Sequence, residues 1–328
     1  MATFSDLAQA MTAVAGDLLE ADRVAGVSDA RSVGSSYGTA VRPFREILAY
    51  TFSLEDPRRV LIDRPARPIH VPYLLANILW TVAGSDAVDE IGYWNPRAMN
   101  FSDDGACIRS APGPRLFGAV EQFAMARRRL TSDPSTRRAI MLLVDPADLT
   151  ADTKDIPCIA SLQFFLRGGR LSAIGTMRSQ SAIMVMPYDI PLLTSLQCLM
   201  ARELGVEVGT YTHHCNSLHF YEEELAVTES VAAGDLTNVT MPAICSLPGL
   251  RQLASRMTEM RAVPIATIRS WAHEAERDRS HSFSSVVQRI LLGHVLDTAG
   301  DRELAAVLLA GAGAVGGLSG PATRAGRS

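Results

Sequence analysis

The sequence predicts a mixed α+β protein whose C-terminal part, beyond residue 240, is mostly helical. Three observations carry this. Apolar runs of strand length cluster between residues 138 and 221, and two of them are joined by Gly168-Gly169, a hairpin signal. Stretches with apolar residues at helical spacing lie on both sides of that cluster. Beyond residue 240 nearly every apolar residue falls at helical spacing.

Taken in order, residues 1–25 read as an amphipathic helix. "DARSVGSSYGTAVRPF" (29–44) is a Gly/Ser-rich loop with Arg31 and Arg42; it suits either a surface turn or a loop around an anion, because glycine lets backbone N–H groups approach a phosphate. "VPYLLANILWTVAGSD" (71–86) reads as a helix with a mostly buried face, and 92–118 as loop-rich. A helix then runs to a turn at Asp133-Pro134, before a strand at 138–144. Strands follow at 160–167 and 170–178, then a helix at 190–204 that stops near Gly205. Residues 209–225 read as a strand leading into a helix. The division expected is a catalytic domain at 1–240 and a helical extension at 241–328 packed on it, with a loose tail from about 317.

Composition bounds the function. The chain has 328 residues, 47% of them apolar, enough for a large core. A net charge of −4 gives no signal for binding nucleic acid. No basic leader or bilayer-length apolar run stands out, so a cytoplasmic protein is expected. The five cysteines are scattered and odd in number, without metal-ligand spacing; free thiols and no metal are expected.

"IPCIASLQFFL" (156–166) sets a Pro-Cys pair at the mouth of an apolar strand. Cys158 is either a small core residue or a nucleophile presented at the strand entrance. Three further segments follow it: Arg178-Ser179, Pro187-Tyr188-Asp189 and His219-Phe220-Tyr221. Singly each has a bland reading; Asp189, for example, suits a helix N-cap.

In order and spacing, these segments resemble the catalytic core of the thymidylate synthase family. "DPSTRRAIMLLVDPAD" resembles its Ser-Arg-Arg strand, "NILWTVAGSD" its Glu-Leu-Leu-Trp helix, and "ARSVGSSYGT" its phosphate loop. The resemblance spans about residues 1–225. It implies a thymidylate synthase-like fold with a large bent mixed sheet, a homodimer, and a pyrimidine nucleoside monophosphate as substrate. It implies that Cys158 adds to C6 of the base, and that Arg31, Arg178 and Ser179 hold the phosphate. Arg137 and Arg138 would reach in from the partner subunit, and His219 and Tyr221 would bond the sugar. A neighbouring arginine such as Arg178 would lower the thiol pKa.

Asp189 stands where the thymidylate-making members carry Asn, and the same change marks the family's cytidylate hydroxymethylases. A buried, protonated Asp189 could donate to cytosine N3 and accept from its amino group. The expectation is therefore a transferase that hydroxymethylates CMP or dCMP at C5, with 5,10-methylene-tetrahydrofolate as co-substrate. Such an enzyme would suit modified-nucleoside biosynthesis, as in an antibiotic pathway. Other positions depart from the family. Asn77 replaces a catalytic Glu, Ile159 a His, and Ser217 an Asp. Ser181 replaces an Asp that bonds the pterin, and Val185 a Gly that lets it approach. These departures leave two alternatives open: folate-independent chemistry at Cys158, and a non-catalytic nucleotide-binding homologue.

Overall fold

The computed structural model describes residues 1–26 and 42–318. Arg31 and the tail beyond 318 lie outside the described residues.

The chain opens with strand β1 (Ala2–Phe4), helix α1 (Leu7–Leu19) and strand β2 (Arg23–Val24). The single helix expected at 1–25 is thus corrected. Asp6 caps α1, accepting from the Gln9 N–H at 3.0 Å, so the helix starts there. Residues 2–4 pair instead, in parallel, with the end of β3 (Phe44–Leu54). β3 is the long strand that the sequence reading lacked. Ala49, with φ +56°, interrupts its alternation, so "FREILAYTFSL" shows no clean period of two.

Next come β4 (Leu61–Asp63), α2 (Val71–Val82), α3 (Val88–Gly92), α4 (Pro112–Phe117), α5 (Gln122–Ser132), β5 (Ile140–Leu142) and α6 (Pro146–Thr150). The supposedly loop-rich 92–118 therefore holds helix α4 and a 3₁₀ turn at Pro96–Phe101. The hairpin β6 (Ile159–Arg167) and β7 (Arg170–Met177) turns at Gly168 and Gly169, both with positive φ, as its sequence predicted. Then follow β8 (Gln180–Ser181), α7 (Met186–Leu204), β9 (Glu207–Tyr221), α8 (Leu225–Ala232) and β10 (Thr237–Val239).

The main sheet runs β1-β3-β9-β7-β6-β5, with β2 on β3 and β8 on β9; β4 and β10 form a small second sheet. It is mixed. β7 and β9 are parallel, which needs a crossover, and α7 supplies it. The other long pairs are antiparallel. One face, with Phe52, Leu162, Phe164 and Tyr211, is buried. The opposite face carries in-register rows such as Leu142, Ser161, Thr176, His214 and Thr51, and most of it is partly open in the single chain.

After the sheet come α9 (Leu247–Glu259), α10 (Ile265–Arg277), α11 (Phe283–Thr298), α12 (Arg302–Gly311) and α13 (Gly313–Gly317). Helices α9 and α11 pack on α2, which is buried on nearly every side. Buried Arg289 ties the helices together by donating to the carbonyls of Ala275 (3.2 Å), Gly311 (2.6 Å) and Asp278. Among the described residues no helix is long and apolar enough to cross a membrane.

Candidate active site

The site forms where β6, β7 and β9 meet the start of α7. Pro157 is buried and Cys158 is exposed just before β6. Arg178, at the end of β7, clamps this entrance. Its guanidinium donates to the carbonyls of Pro157 and Ile156, both at 2.8 Å, and its backbone N–H donates to the Cys158 carbonyl at 2.8 Å. Three bonds from one residue fix the height at which the thiol leaves the sheet.

Protein crowding around the sulfur pushes the Cys158 thiol above its ordinary value, opposed by the positive charge of Arg178 and reinforced by Asp189 and Asp155. The expectation of a lowered thiol is corrected. Arg178 does act in that direction, but desolvation is the larger effect. Ser179 is half-buried beside Arg178.

Asp189 lies in the first turns of α7, whose N-cap is Val185, so it is not a cap. It is mostly buried, and desolvation pushes its pKa up to about 6, against a hydrogen bond from Gln180 that lowers it. Gln180 Nε2 donates to Asp189 Oδ2 at 2.9 Å. Behind it, Gln180 Oε1 meets His213 Nε2 at 2.6 Å, and His213 Nδ1 meets the Tyr211 hydroxyl at 2.9 Å. Gln180, His213 and Tyr211 were not among the residues expected at the site. Alternation along β9 turns Tyr211 and His213 to one face, but nothing in it reveals their partner on β8.

His219 and Tyr221 close the far end, with ring centroids 5.2 Å apart. Burial pushes His219 below and Tyr221 above their ordinary values. The Arg42 guanidinium stacks on the Tyr221 ring, 3.6 Å from its centroid, and pairs with Glu223. Arg137 and Arg138 are exposed ahead of edge strand β5; among the described residues no hydrogen bond or ion pair joins them to this cluster.

The one-carbon side differs. The Ser181 hydroxyl is buried and accepts the Met184 N–H at 3.1 Å, so it offers no carboxylate to a pterin. Val185 is 40% exposed on the rim, where a small residue was expected. The residues at these two positions do not fit a pterin in the family's manner. Among the described residues no cluster of His, Cys, Asp or Glu is arranged to hold a metal ion.

A sequence model of thymidylate synthase matches residues 31–236, more than half of the chain. The chain belongs to the thymidylate synthase family. It is 28% identical over 204 residues to a deoxyuridylate hydroxymethyltransferase of Bacillus phage SP01, covering 57% of this chain and 53% of that one. A second enzyme of that name, from Delftia phage PhiW-14, is 27% identical over 187 residues, covering 52% and 51%. A thymidylate synthase of Francisella tularensis subsp. holarctica is 23% identical over 180 residues, covering 48% and 64%. The chain thus spans about half the length of the two phage relatives. The solved thermostable thymidylate synthase A of Bacillus subtilis superposes with a TM-score of 0.56 at 17% identity, over 69% of this chain and 83% of that one, which shows the shared fold.

Proposed function

We propose that the chain transfers a one-carbon unit to C5 of a pyrimidine nucleoside monophosphate, and that the transfer is a hydroxymethylation of CMP or dCMP. The observation that carries this is an exposed Cys158 held by Arg178 beside a buried, largely desolvated Asp189. Family membership and two relatives named deoxyuridylate hydroxymethyltransferases support the one-carbon transfer and its outcome as a hydroxymethylation; the cytosine part of the reading rests on Asp189.

The chemistry balances as follows. The Cys158 thiolate bonds to C6, and the C5=C6 electron pair moves toward C4, so C5 becomes nucleophilic. C5 then attacks a one-carbon electrophile at the oxidation level of formaldehyde. C5 loses its proton as the bond between the one-carbon unit and its carrier breaks, which releases the carrier and leaves an exocyclic methylene at C5. Water adds its oxygen to that methylene, and the C6–S bond breaks to return the thiolate. The net change inserts CH2O into the C5–H bond. Asp189 holds the base edge during these steps, while Arg31, Arg178 and Ser179 take the phosphate and His219 and Tyr221 the sugar. The half-open sheet face suits a homodimer in which Arg137 and Arg138, on the exposed edge, reach the partner's phosphate.

The family's one-carbon donor is methylene-tetrahydrofolate. Ser181 and Val185 favour a second reading, in which Cys158 works on the nucleotide without folate. The test is mass spectrometry of CMP, dCMP, UMP and dUMP after incubation with and without methylene-tetrahydrofolate, beside Cys158→Ala. The expected result is a cytosine nucleotide heavier by one CH2O, dependent on Cys158. A gain on uracil nucleotides alone would overturn the cytosine reading. Products formed without folate would favour the second.

A further inference from the structure

We infer that Gln180, anchored by His213 and Tyr211, is the positioning residue that decides which pyrimidine Asp189 accepts. This rests on the reading of Asp189 as the base-reading acid.

The four side chains form one buried line: Tyr211 Oη, His213 Nδ1 and Nε2, Gln180 Oε1 and Nε2, Asp189 Oδ2. Tyr211 and His213 are fully buried and Gln180 is 2% exposed, so the hydrogens of Tyr211 and His213 must find their acceptors within the line. That condition gives the line one direction. Among the described residues the Tyr211 hydroxyl has a single partner, so it donates to Nδ1. His213 then carries its hydrogen on Nε2 and donates to Gln180 Oε1, which leaves the amide N–H for Asp189. A neutral imidazole is required, and burial does push His213 down to about 3. The line is also sterically locked. A Cβ on Gly175 would collide with the Tyr211 hydroxyl, so the glycine makes the room in which that hydroxyl sits.

The consequence falls on Asp189. Its Oδ2 already receives an N–H, so when the acid is protonated the hydrogen sits on Oδ1. Oδ2 keeps one lone pair for the substrate. With Oδ1 opposite N3, cytosine matches at both points: Oδ1–H donates to N3, and the amino group donates to Oδ2. Uracil in the same pose sets N3–H against Oδ1–H and O4 against Oδ2. If the acid could move its hydrogen to Oδ2, uracil would fit equally well. Gln180 opposes that move, because its N–H bonds more strongly to the carbonyl oxygen of the acid than to its hydroxyl oxygen, so the discrimination lies with the neighbour of the acid as much as with the acid.

The test combines carbon-13 NMR titration of the Asp189 carboxyl in the ligand-free protein with kcat/KM for CMP, dCMP, UMP and dUMP. Both are measured in the wild type, Gln180→Leu and Tyr211→Phe. In Gln180→Leu the Asp189 midpoint should rise, and the preference between the bases should fall by up to about tenfold, from the loss of one neutral hydrogen bond to the protonated acid. The disfavoured base should gain in absolute kcat/KM, which a merely weakened fold cannot produce. Tyr211→Phe should move both readouts the same way by less, and it carries the test if Gln180→Leu does not fold. An unmoved midpoint, or an equal loss for both bases, overturns the inference. A wild type that prefers uracil, with the preference lost in Gln180→Leu, keeps the role of Gln180 and overturns the cytosine reading. A wild type that turns over none of the four overturns the proposed function and the claim of base selection; the titration then decides alone whether Gln180 places the Asp189 proton.

Discussion

The proposed reaction needs Asp189 protonated and Cys158 ionised, yet the structure sets these two groups in the wrong order for that. Asp189 ionises near 6, whereas the thiol is held above the ordinary 9.0. Between the two values the fraction of acid falls tenfold per pH unit while the fraction of thiolate rises tenfold, so their product is flat. In that window the ready form is at most about 1 in 1,000 molecules. Wild-type kcat/KM for the cytosine nucleotide should therefore stay level from about pH 6.5 to 8.5, above the region where the nucleotide phosphate itself ionises. Asp189→Asn removes the falling factor and presents an amide that donates to O4 and accepts from N3–H. Its kcat/KM for uracil nucleotides should climb about tenfold per pH unit over the same window. The assay is initial-rate product formation at subsaturating nucleotide, at half-unit pH steps. A wild-type profile that climbs as steeply as the variant's would refute the requirement for a protonated Asp189.

Acid stability gives an independent check of the same groups. His213 has its folded pKa lowered from 6.5 to about 3, so the unfolded chain binds the extra proton and stability falls on acidification below 6.5. Asp189 has its folded pKa raised from 3.8 to about 6, so its contribution is present at low pH and lost as pH rises through 6. In the wild type the two oppose each other between about pH 4 and 6. Asp189→Asn should lose about 1.4 kcal/mol per pH unit on acidification there, and His213→Gln should gain as much, read by urea titration. Arg178→Ala removes the two carbonyl bonds that hold Ile156 and Pro157, and should cost about 1–3 kcal/mol. It should also slow alkylation of Cys158 at neutral pH, because the cation that lowers the thiol is gone. Gly175→Ala drives a methyl into the Tyr211 hydroxyl and Leu193, and should destabilise by about 1–3 kcal/mol in the same titration.

What was legible in the sequence follows from how local each signal is. Gly168-Gly169 announces a tight turn, and the β6–β7 hairpin forms around it. Cys158, Arg178, Asp189, His219 and Tyr221 follow one another in motifs a few residues long. β3 was hidden because left-handed Ala49 breaks its alternation, and β1 because Asp6 places a helix start inside an apolar stretch. The Tyr211–His213–Gln180–Asp189 line was hidden for a different reason. Its members sit on β9, β8 and α7, and Gln180 pairs in register with Leu218, so only its side chain reaches His213. Register between distant strands is a property of the folded sheet, with no local mark in the chain.

The uneven divergence of the site has a structural basis. The residues proposed to hold the nucleotide lie on strand ends and in the first turns of α7, and on the strands a shift of one residue would turn every neighbour to the wrong face. The one-carbon side draws on pieces that are free to differ. Tyr188, next to Asp189, accepts the His70 backbone N–H at 3.0 Å. The His70 ring lies 5.1 Å from that of His294, which in turn lies 5.6 Å from Trp94. His294 belongs to α11, beyond the residues that match the family. One hydrogen bond and two ring contacts thus link α7 to α11 and Trp94. Substitution at His294 can alter the wall beside Tyr188 while leaving Cys158 and Arg178 in place, since those two are fixed to each other through the Pro157 and Cys158 carbonyls.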